Sequence, residues 1–224
     1  MEKIIKIATW NVGQDLKNKE INTNSYEYIR KQIEKNNIEI IAFQEAITES
    51  NNLQSLANYI SKHTKLKYFE EISLSPSDMN ENDKMGVAIC SKFKINNNEK
   101  YILENPKLIY KKTNTIIYWS HDKGFNISQI EEIDAVIIEG HCLPFHIFGE
   151  NPLKYINIYS KLEDKILKII ESNKNLILLG DFNYIDIFEL FPNLKEKMKC
   201  VYENEKTRKD KQIDYILTTN RYKT

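Results

Sequence analysis

The run Leu176-Ile177-Leu178-Leu179-Gly180-Asp181-Phe182-Asn183 decides how the rest of the chain is read. An apolar stretch ending in Gly-Asp-x-Asn describes a buried strand that delivers a carboxylate and a carboxamide to the rim of a sheet. Spaced by two, Asp181 and Asn183 would leave such a strand on one face. Gly180 lets the backbone bend, or approach another group closely, just before them. A carboxylate only accepts hydrogen bonds, whereas an amide donates and accepts. The pair suits holding a metal-coordinated water against a phosphate. An Asx turn after the strand, with no chemical role, is the plainer alternative.

Working outward, Ile4 to Trp10 and Ile38 to Gln44 read as buried strands, the second with Glu45 at its end. Asn22 to Asn36 carries helical spacing through Tyr26, Ile29 and Ile33, and Leu53 to Tyr59 suits a second helix. Tyr68 to Ser73 and Met85 to Cys90 read as strands across a polar loop, and Leu108 to Trp119 as a strand or hairpin. Ile133 to Glu139 and the segment Phe145 to Phe148 read as strands or strand ends around His141. Leu153 to Ser172 is the longest helical stretch, Tyr184 to Leu190 a short excursion, and Ile213 to Thr218 the last strand. Helices alternate with strands but hairpins intervene, so the order predicts α/β layers around mixed sheets.

The chain has 224 residues, 41% hydrophobic and 29% charged, which fits one soluble domain with a sizeable core. Its 32 basic residues balance 32 acidic ones, which gives no support to salt-driven binding along a nucleic-acid backbone. Arg30, Arg208 and Arg221 are the only arginines, a scarcity read as coding bias. Cys90, Cys142 and Cys200 form neither a CxxC pair nor an even disulfide framework. A zinc site from His121, His141, His146 and Cys142 is a minor alternative, weakened by Pro144 between the two closest histidines. No signal-peptide core and no membrane span are visible, so a cytoplasmic monomer is expected.

Polar residues recur at the ends of apolar strands: Thr9-Trp10-Asn11, Phe43-Gln44-Glu45, Lys123-Gly124-Phe125 with Gly140-His141, Gly180-Asp181-Phe182-Asn183, and Gln212-Ile213-Asp214-Tyr215. In this order they resemble the endonuclease/exonuclease/phosphatase superfamily, which includes deoxyribonuclease I, abasic-site endonucleases, inositol polyphosphate 5-phosphatases and sphingomyelinases. The resemblance spans Ile7 to Leu217. It implies a four-layer α-β-β-α sandwich, two mixed sheets face to face with helices outside, and a divalent-metal-dependent phosphoesterase site at one edge.

The resemblance also implies roles. Glu45 would be the main ligand of Mg²⁺, or of Mn²⁺, because a hard carboxylate oxygen suits an ion that keeps most of its waters. Asn11 would support the metal or donate to a phosphate oxygen. Asp181 would orient and deprotonate the attacking water, and Asn183 would hold the phosphate by its amide. His141 would hydrogen-bond the phosphate or protonate the leaving oxygen. Lys123 would be a point-charge phosphate binder, and Asp214 would orient a histidine of a later Ser-Asp-His motif.

That later motif is where the chain departs from the pattern. Thr224 stands ten residues past Asp214 (224 − 214), and the four histidines, His63, His121, His141 and His146, all precede it. The expectation is a domain truncated at its C-terminus and short of its last strand. It is read either as a piece of a longer hydrolase or as a catalytically impaired phosphate-binding module. The substrate stays open between nucleic acid, a lipid headgroup and a small phosphoester.

Overall fold

Alternation along the strands dictates the layers. In the computed structural model, which describes residues 4–13, 25–51, 54–77, 82–111, 113, 117–172, 174–203 and 205–219, β1 (Ile7–Asn11), β2 (Ile40–Glu49), β3 (Tyr68–Pro76) and β4 (Lys84–Ser91) form one sheet in the order β1-β2-β4-β3. A second sheet runs β11-β12-β10-β9-β8-β5, from β5 (Asn97–Ile102), β8 (Gly124–Ile130), β9 (Ala135–His141), β10 (Asn175–Asp181), β11 (Met198–Cys200) and β12 (Asp214–Thr219). Both sheets are mixed, since β1 with β2 and β9 with β10 are parallel and their other pairings antiparallel.

On β2 the odd residues Ile41 and Phe43 turn to α1 (Ser25–Asn36) and α2 (Leu56–His63), burying Tyr26, Ile29, Ile33, Leu56 and Ile60. The even residues Ile40 and Ala42 turn the other way. They meet Ile137 of β9 and Ile177 and Leu179 of β10 in a core between the sheets. Leu176 and Leu178 of β10 face outward onto Tyr159, Leu162 and Ile166 of α3 (Ile156–Glu171). The result is helix, sheet, sheet, helix, as expected for an α-β-β-α sandwich. Period-two alternation on doubly covered strands accounts for it.

Several boundaries differ from the sequence reading. Phe145–Phe148 is a 3₁₀ turn and not a strand, ended by Gly149 in the left-handed region. A 3₁₀ turn at Pro152–Tyr155 precedes α3. Leu108 to Trp119 resolves into the hairpin of β6 (Ile109–Lys111) and β7 (Ile117–Trp119). The sequence reading passed over β5 and β11, and of β8 it placed only the start, at Lys123-Gly124-Phe125. β5, Asn-Asn-Glu-Lys-Tyr-Ile, is polar because it lies at a sheet edge, where hydrophobic alternation is not required. The expected helix starts at Asn22 and Leu53, and the terminus at Thr224, lie outside the described residues. Among the described residues no helix is long and apolar enough to cross a membrane.

Candidate active site

The inner-face alternation that builds the inter-sheet core also builds the site. Continuing each inward row to its strand end gives Ile7-Thr9-Asn11 on β1, Ile137-Glu139-His141 on β9, Ile177-Leu179-Asp181 on β10 and Ile216-Asp214 on β12. Parallel pairing puts the C-terminal ends of β9 and β10 at one edge, and antiparallel β12 begins there. Asp181 is in register with His141 on one side and Asp214 on the other. Three polar side chains thus form one row where the apolar core stops.

Glu45 reaches this edge by a different device. It does not end β2, as the sequence reading has it, because the strand continues to Glu49. In a regular strand Glu45 would follow Ile41 and Phe43 toward the helices. Pairing with β4 instead jumps between Gln44 and Ala46, and Glu45 sits in the resulting bulge at φ +53°. The bulge re-aims its side chain into the cleft. Gln44 keeps the inward direction, where its Oε1 accepts from Thr9 Oγ1 at 3.1 Å.

Asn183 is also placed by a turn. The strand stops at Asp181 and Asn183 lies beyond it at φ +53°, so period two does not carry its direction. An Asx turn does, since Asn183 N–H donates to Asp181 Oδ1 at 2.9 Å. The plainer turn reading and the functional one therefore describe the same atoms. Gly180 has φ +147°, and a Cβ there would lie 2.0 Å from the carbonyl oxygen of Gly140. Only glycine lets β10 and β9 approach this closely beneath Asp181.

The convergence is direct. Asn11 Nδ2 donates to Asp181 Oδ2 at 2.9 Å and to Glu45 Oε1 at 3.3 Å, tying carboxylates of opposite sheets together. Its own Oδ1 accepts from Gly13 N–H, so it presents a donor to the carboxylates. With both amide hydrogens given to carboxylates, Asn11 acts here as a tie between Asp181 and Glu45. Burial, and then the charge of Asp214, push Asp181 up to about 6, against its bonds from Asn11 and Asn183. Burial likewise raises Asp214, with Thr207 and Arg208 opposing.

His141 is 2% exposed and lies behind this row. Its Nδ1 is 3.0 Å from Lys123 Nζ; its Nε2 is 2.9 Å from Asn183 Nδ2 and 3.7 Å from Asp181 Oδ2. Burial, then the Lys123 charge, hold its pKa well below the usual imidazole range, so the ring is neutral. Asn183 Nδ2 donates to the Cys142 carbonyl at 3.0 Å. The amide expected to hold a phosphate is thus partly committed to holding the end of β9.

The cleft in front, about 510 Å³, is lined by Asn11, Glu45, Asp181, Asn183 and Asp214. Of the seven residues expected from sequence, these five share it. Lys123 and His141 instead flank a small recess on the other side of Glu45. Sequence reasoning missed Ile147, Tyr202, Thr207 and Arg208, which are also part of the cleft wall. Thr207 Oγ1 accepts the backbone N–H groups of Ile213 and Asp214 at 3.1 Å each, fixing the start of β12. The cation-rich run Lys206-Thr207-Arg208-Lys209 just before Asp214 was the available signal.

Two carboxylates with a neutral amide and few further ligands match the donor set of Mg²⁺ or Mn²⁺, which take one or two carboxylates and keep waters. The zinc alternative is not assembled. His141 is engaged by Lys123 and Asn183, His146 by Arg208, and no three His, Cys, Asp or Glu side chains group to hold a metal among the described residues.

The chain matches the model of the Endonuclease/Exonuclease/phosphatase family over residues 8–224. No curated protein matches it. Among solved structures, a mannosyl-6-phosphatase of Bacteroides thetaiotaomicron is similar at 11% identity and TM-score 0.62, over 97% of this chain and 86% of that one. The human Nocturnin catalytic domain with bound sulfate is similar at 12% identity and TM-score 0.63, over 96% and 83%. An endonuclease/exonuclease/phosphatase family protein of Leptotrichia buccalis shares 16% identity at TM-score 0.56, over 96% and 88%. At these identities the likeness is one of fold.

Proposed function

The chain belongs to the endonuclease/exonuclease/phosphatase family, and from that premise we propose that it hydrolyses a phosphomonoester or phosphodiester with a divalent metal ion held in the cleft of Asn11, Glu45, Asp181, Asn183 and Asp214. The observation that carries this reading is the meeting of Glu45 and Asp181, from opposite sheets, on one amide nitrogen of Asn11. Glu45 would hold the Mg²⁺ or Mn²⁺. When bound, the ion supplies positive charge against the phosphoryl oxygens and makes water more acidic.

The chain's own residues supply the positioning. Asp181, fixed through both oxygens by Asn11 and Asn183, points at the attacking water and takes its proton. Asn11 ties Asp181 to Glu45 and so holds the proton acceptor beside the ligand of the ion. Asp214 keeps the far wall acidic. His141, neutral and buried, braces Asp181 and Asn183 and does not act as a proton donor, and Lys123 places a cation behind them. In-line displacement needs little more than such placement and charge stabilisation: the bond from water to phosphorus forms as the ester P–O bond breaks, and the leaving oxygen takes its proton from solvent.

The test is release of p-nitrophenolate from p-nitrophenyl phosphate and bis-p-nitrophenyl phosphate with Mg²⁺, Mn²⁺ or a chelator. Metal-dependent turnover on either supports the reading, and the preferred ester gives the substrate class. A chain that binds metal and phosphate yet turns over neither is a binding module.

A second reading places the phosphoester at a lipid surface, favoured by the β6–β7 hairpin. Ile109, Tyr110, Ile117, Tyr118 and Trp119 are all exposed there, Trp119 at 59%. The hairpin packs against the 3₁₀ turn whose Ile147 lines the cleft. Aromatic and apolar side chains on a ribbon beside Lys107 and Lys111 suit a membrane interface. Sedimentation with phosphatidylcholine–phosphatidylserine vesicles should pull down the chain and not its Trp119→Ala variant; equal behaviour of the two contradicts this reading.

A further inference from the structure

Beside the catalytic cleft lies a second one of about 650 Å³, and the two share Asn183, Arg208 and Ile213 as a common wall. Its lip is the turn from Arg208 to Lys211, closed by two backbone hydrogen bonds of 3.0 Å between those residues. Lys209 sits at φ +55° within it.

The charges on this lip are unbalanced. Arg208, Lys209 and Lys211 line the cleft together with Glu150 and Asp210. Glu150 is already taken by Lys154 at 3.0 Å. Among the described residues, no carboxylate forms an ion pair with Arg208, Lys209 or Lys211. In a chain with equal numbers of acidic and basic residues, three cations against the one carboxylate of Asp210 on this turn are a local excess, and the charge of Arg208 also bears on Asp214.

His146 does not relieve it. Its Nε2 is 3.2 Å from Arg208 Nη1, and a guanidinium only donates, so the imidazole accepts and is neutral. Burial, and then the charges of Arg208 and Lys211, lower its pKa accordingly. His146 therefore pins Arg208 between the two clefts without neutralising it. A pinned guanidinium flanked by two ammonium groups matches the oxygens of a phosphate.

We propose that this second cleft binds a further phosphate group on the substrate whose scissile phosphate lies against Asn11, Glu45 and Asp181. The assignment rests on the hydrolase reading above and narrows its substrate class to esters that carry two phosphates. Lys211 and Arg208 are then specificity-determining residues. The second phosphate belongs either to a small bisphosphate or to the neighbouring linkage of a nucleotide strand.

The test compares the wild-type chain with Lys211→Glu, a substitution on the exposed lip away from the catalytic carboxylates. Substrates are paired to differ by one phosphate: fructose 1,6-bisphosphate against fructose 6-phosphate, and the dinucleotide pTpT against TpT. In at least one pair the wild type should favour the doubly phosphorylated member by about tenfold or more in kcat/KM, the size of one charge-assisted contact. Lys211→Glu should erase that preference and leave the singly phosphorylated member within about twofold. The pair that responds identifies the source. Equal kcat/KM across both pairs, or a loss shared by all four compounds, overturns the proposal.

Calorimetric binding of the same four compounds separates the two readings. Tighter binding of a doubly phosphorylated compound, weakened by Lys211→Glu in a chain without turnover, sustains the cleft and sinks the hydrolase. Binding that does not distinguish the members of either pair, or is unchanged in Lys211→Glu, overturns the cleft whether or not the chain turns over.

Discussion

Glu139 offers a perturbation whose size can be worked from the fold. It lies on the inner face of β9, fully buried, between Ile137 of the core and His141 of the site. Its Oε1 accepts from Asn126 Nδ2, and its Oε2 has no hydrogen-bond partner. Burial lifts its pKa from 4.5 to about 8, against the Asn126 bond. The folded chain therefore keeps a proton that the unfolded chain releases between those values. A raised carboxyl pKa contributes stability that is full below 4.5 and is lost as pH climbs to about 8. The slope is ~1.4 kcal/mol per pH unit and the whole span ~5 kcal/mol. Glu139→Gln keeps the size and the acceptor for Asn126 but cannot ionise. Denaturant unfolding followed by circular dichroism at about pH 5, 6, 7 and 8 reads the difference in unfolding free energy. The variant should gain on the wild type by ~1.4 kcal/mol with each unit. A difference that stays constant with pH, or that shrinks, refutes the assignment of a buried neutral carboxyl at this position.

Other outcomes follow from the same geometry. Glu45→Gln should raise the Mg²⁺ concentration needed for half-maximal turnover by about tenfold or more while the fold persists, since one hard ligand is lost; an unchanged magnesium titration places the ion elsewhere. Gly180→Ala would drive a methyl to within 2.0 Å of the Gly140 carbonyl oxygen in a backbone conformation that disfavours side chains. It should cost ~4 kcal/mol or more in unfolding free energy, and a melting temperature within a few degrees of wild type would contradict the close β9–β10 approach. The Thr207→Val chain loses the acceptor for the Ile213 and Asp214 N–H groups. Amide exchange at Asp214 should then speed up, and unaltered protection would show that Thr207 does not fix that turn.

The layers were legible because doubly covered strands advertise themselves: Ile40 to Phe43 and Leu176 to Leu179 are uninterrupted apolar runs whose alternate members serve two cores. The residues at strand ends were legible for the same reason, since Asn11, His141, Asp181 and Asp214 only continue inward rows. The place of Glu45 in its strand was not legible, because a bulge leaves no mark in hydrophobic periodicity and is settled by pairing with distant β4. Asn183 was assigned a direction for the wrong reason: the Asx turn aims it, and not the strand. His141 was expected to face substrate. Its burial behind Asp181 depends on Lys123 and Asn183 arriving from segments far apart in sequence. Arg208 reads in the sequence only as one of a few arginines: the cation-rich run around it marks positive charge but does not say that it folds back over the cleft.

The measurement that bears most directly on the account is metal-dependent phosphoester hydrolysis by the wild-type chain beside Asp181→Asn, with both shown folded by circular dichroism. Asparagine preserves the size of the side chain and an acceptor for Asn11 but cannot take a proton from water. The account predicts Mg²⁺- or Mn²⁺-dependent turnover by the wild type and a loss of about a hundredfold or more in kcat for the variant. Turnover that survives in Asp181→Asn, or that ignores a chelator in both chains, would contradict the placing of the chemistry between Glu45, Asn11 and Asp181.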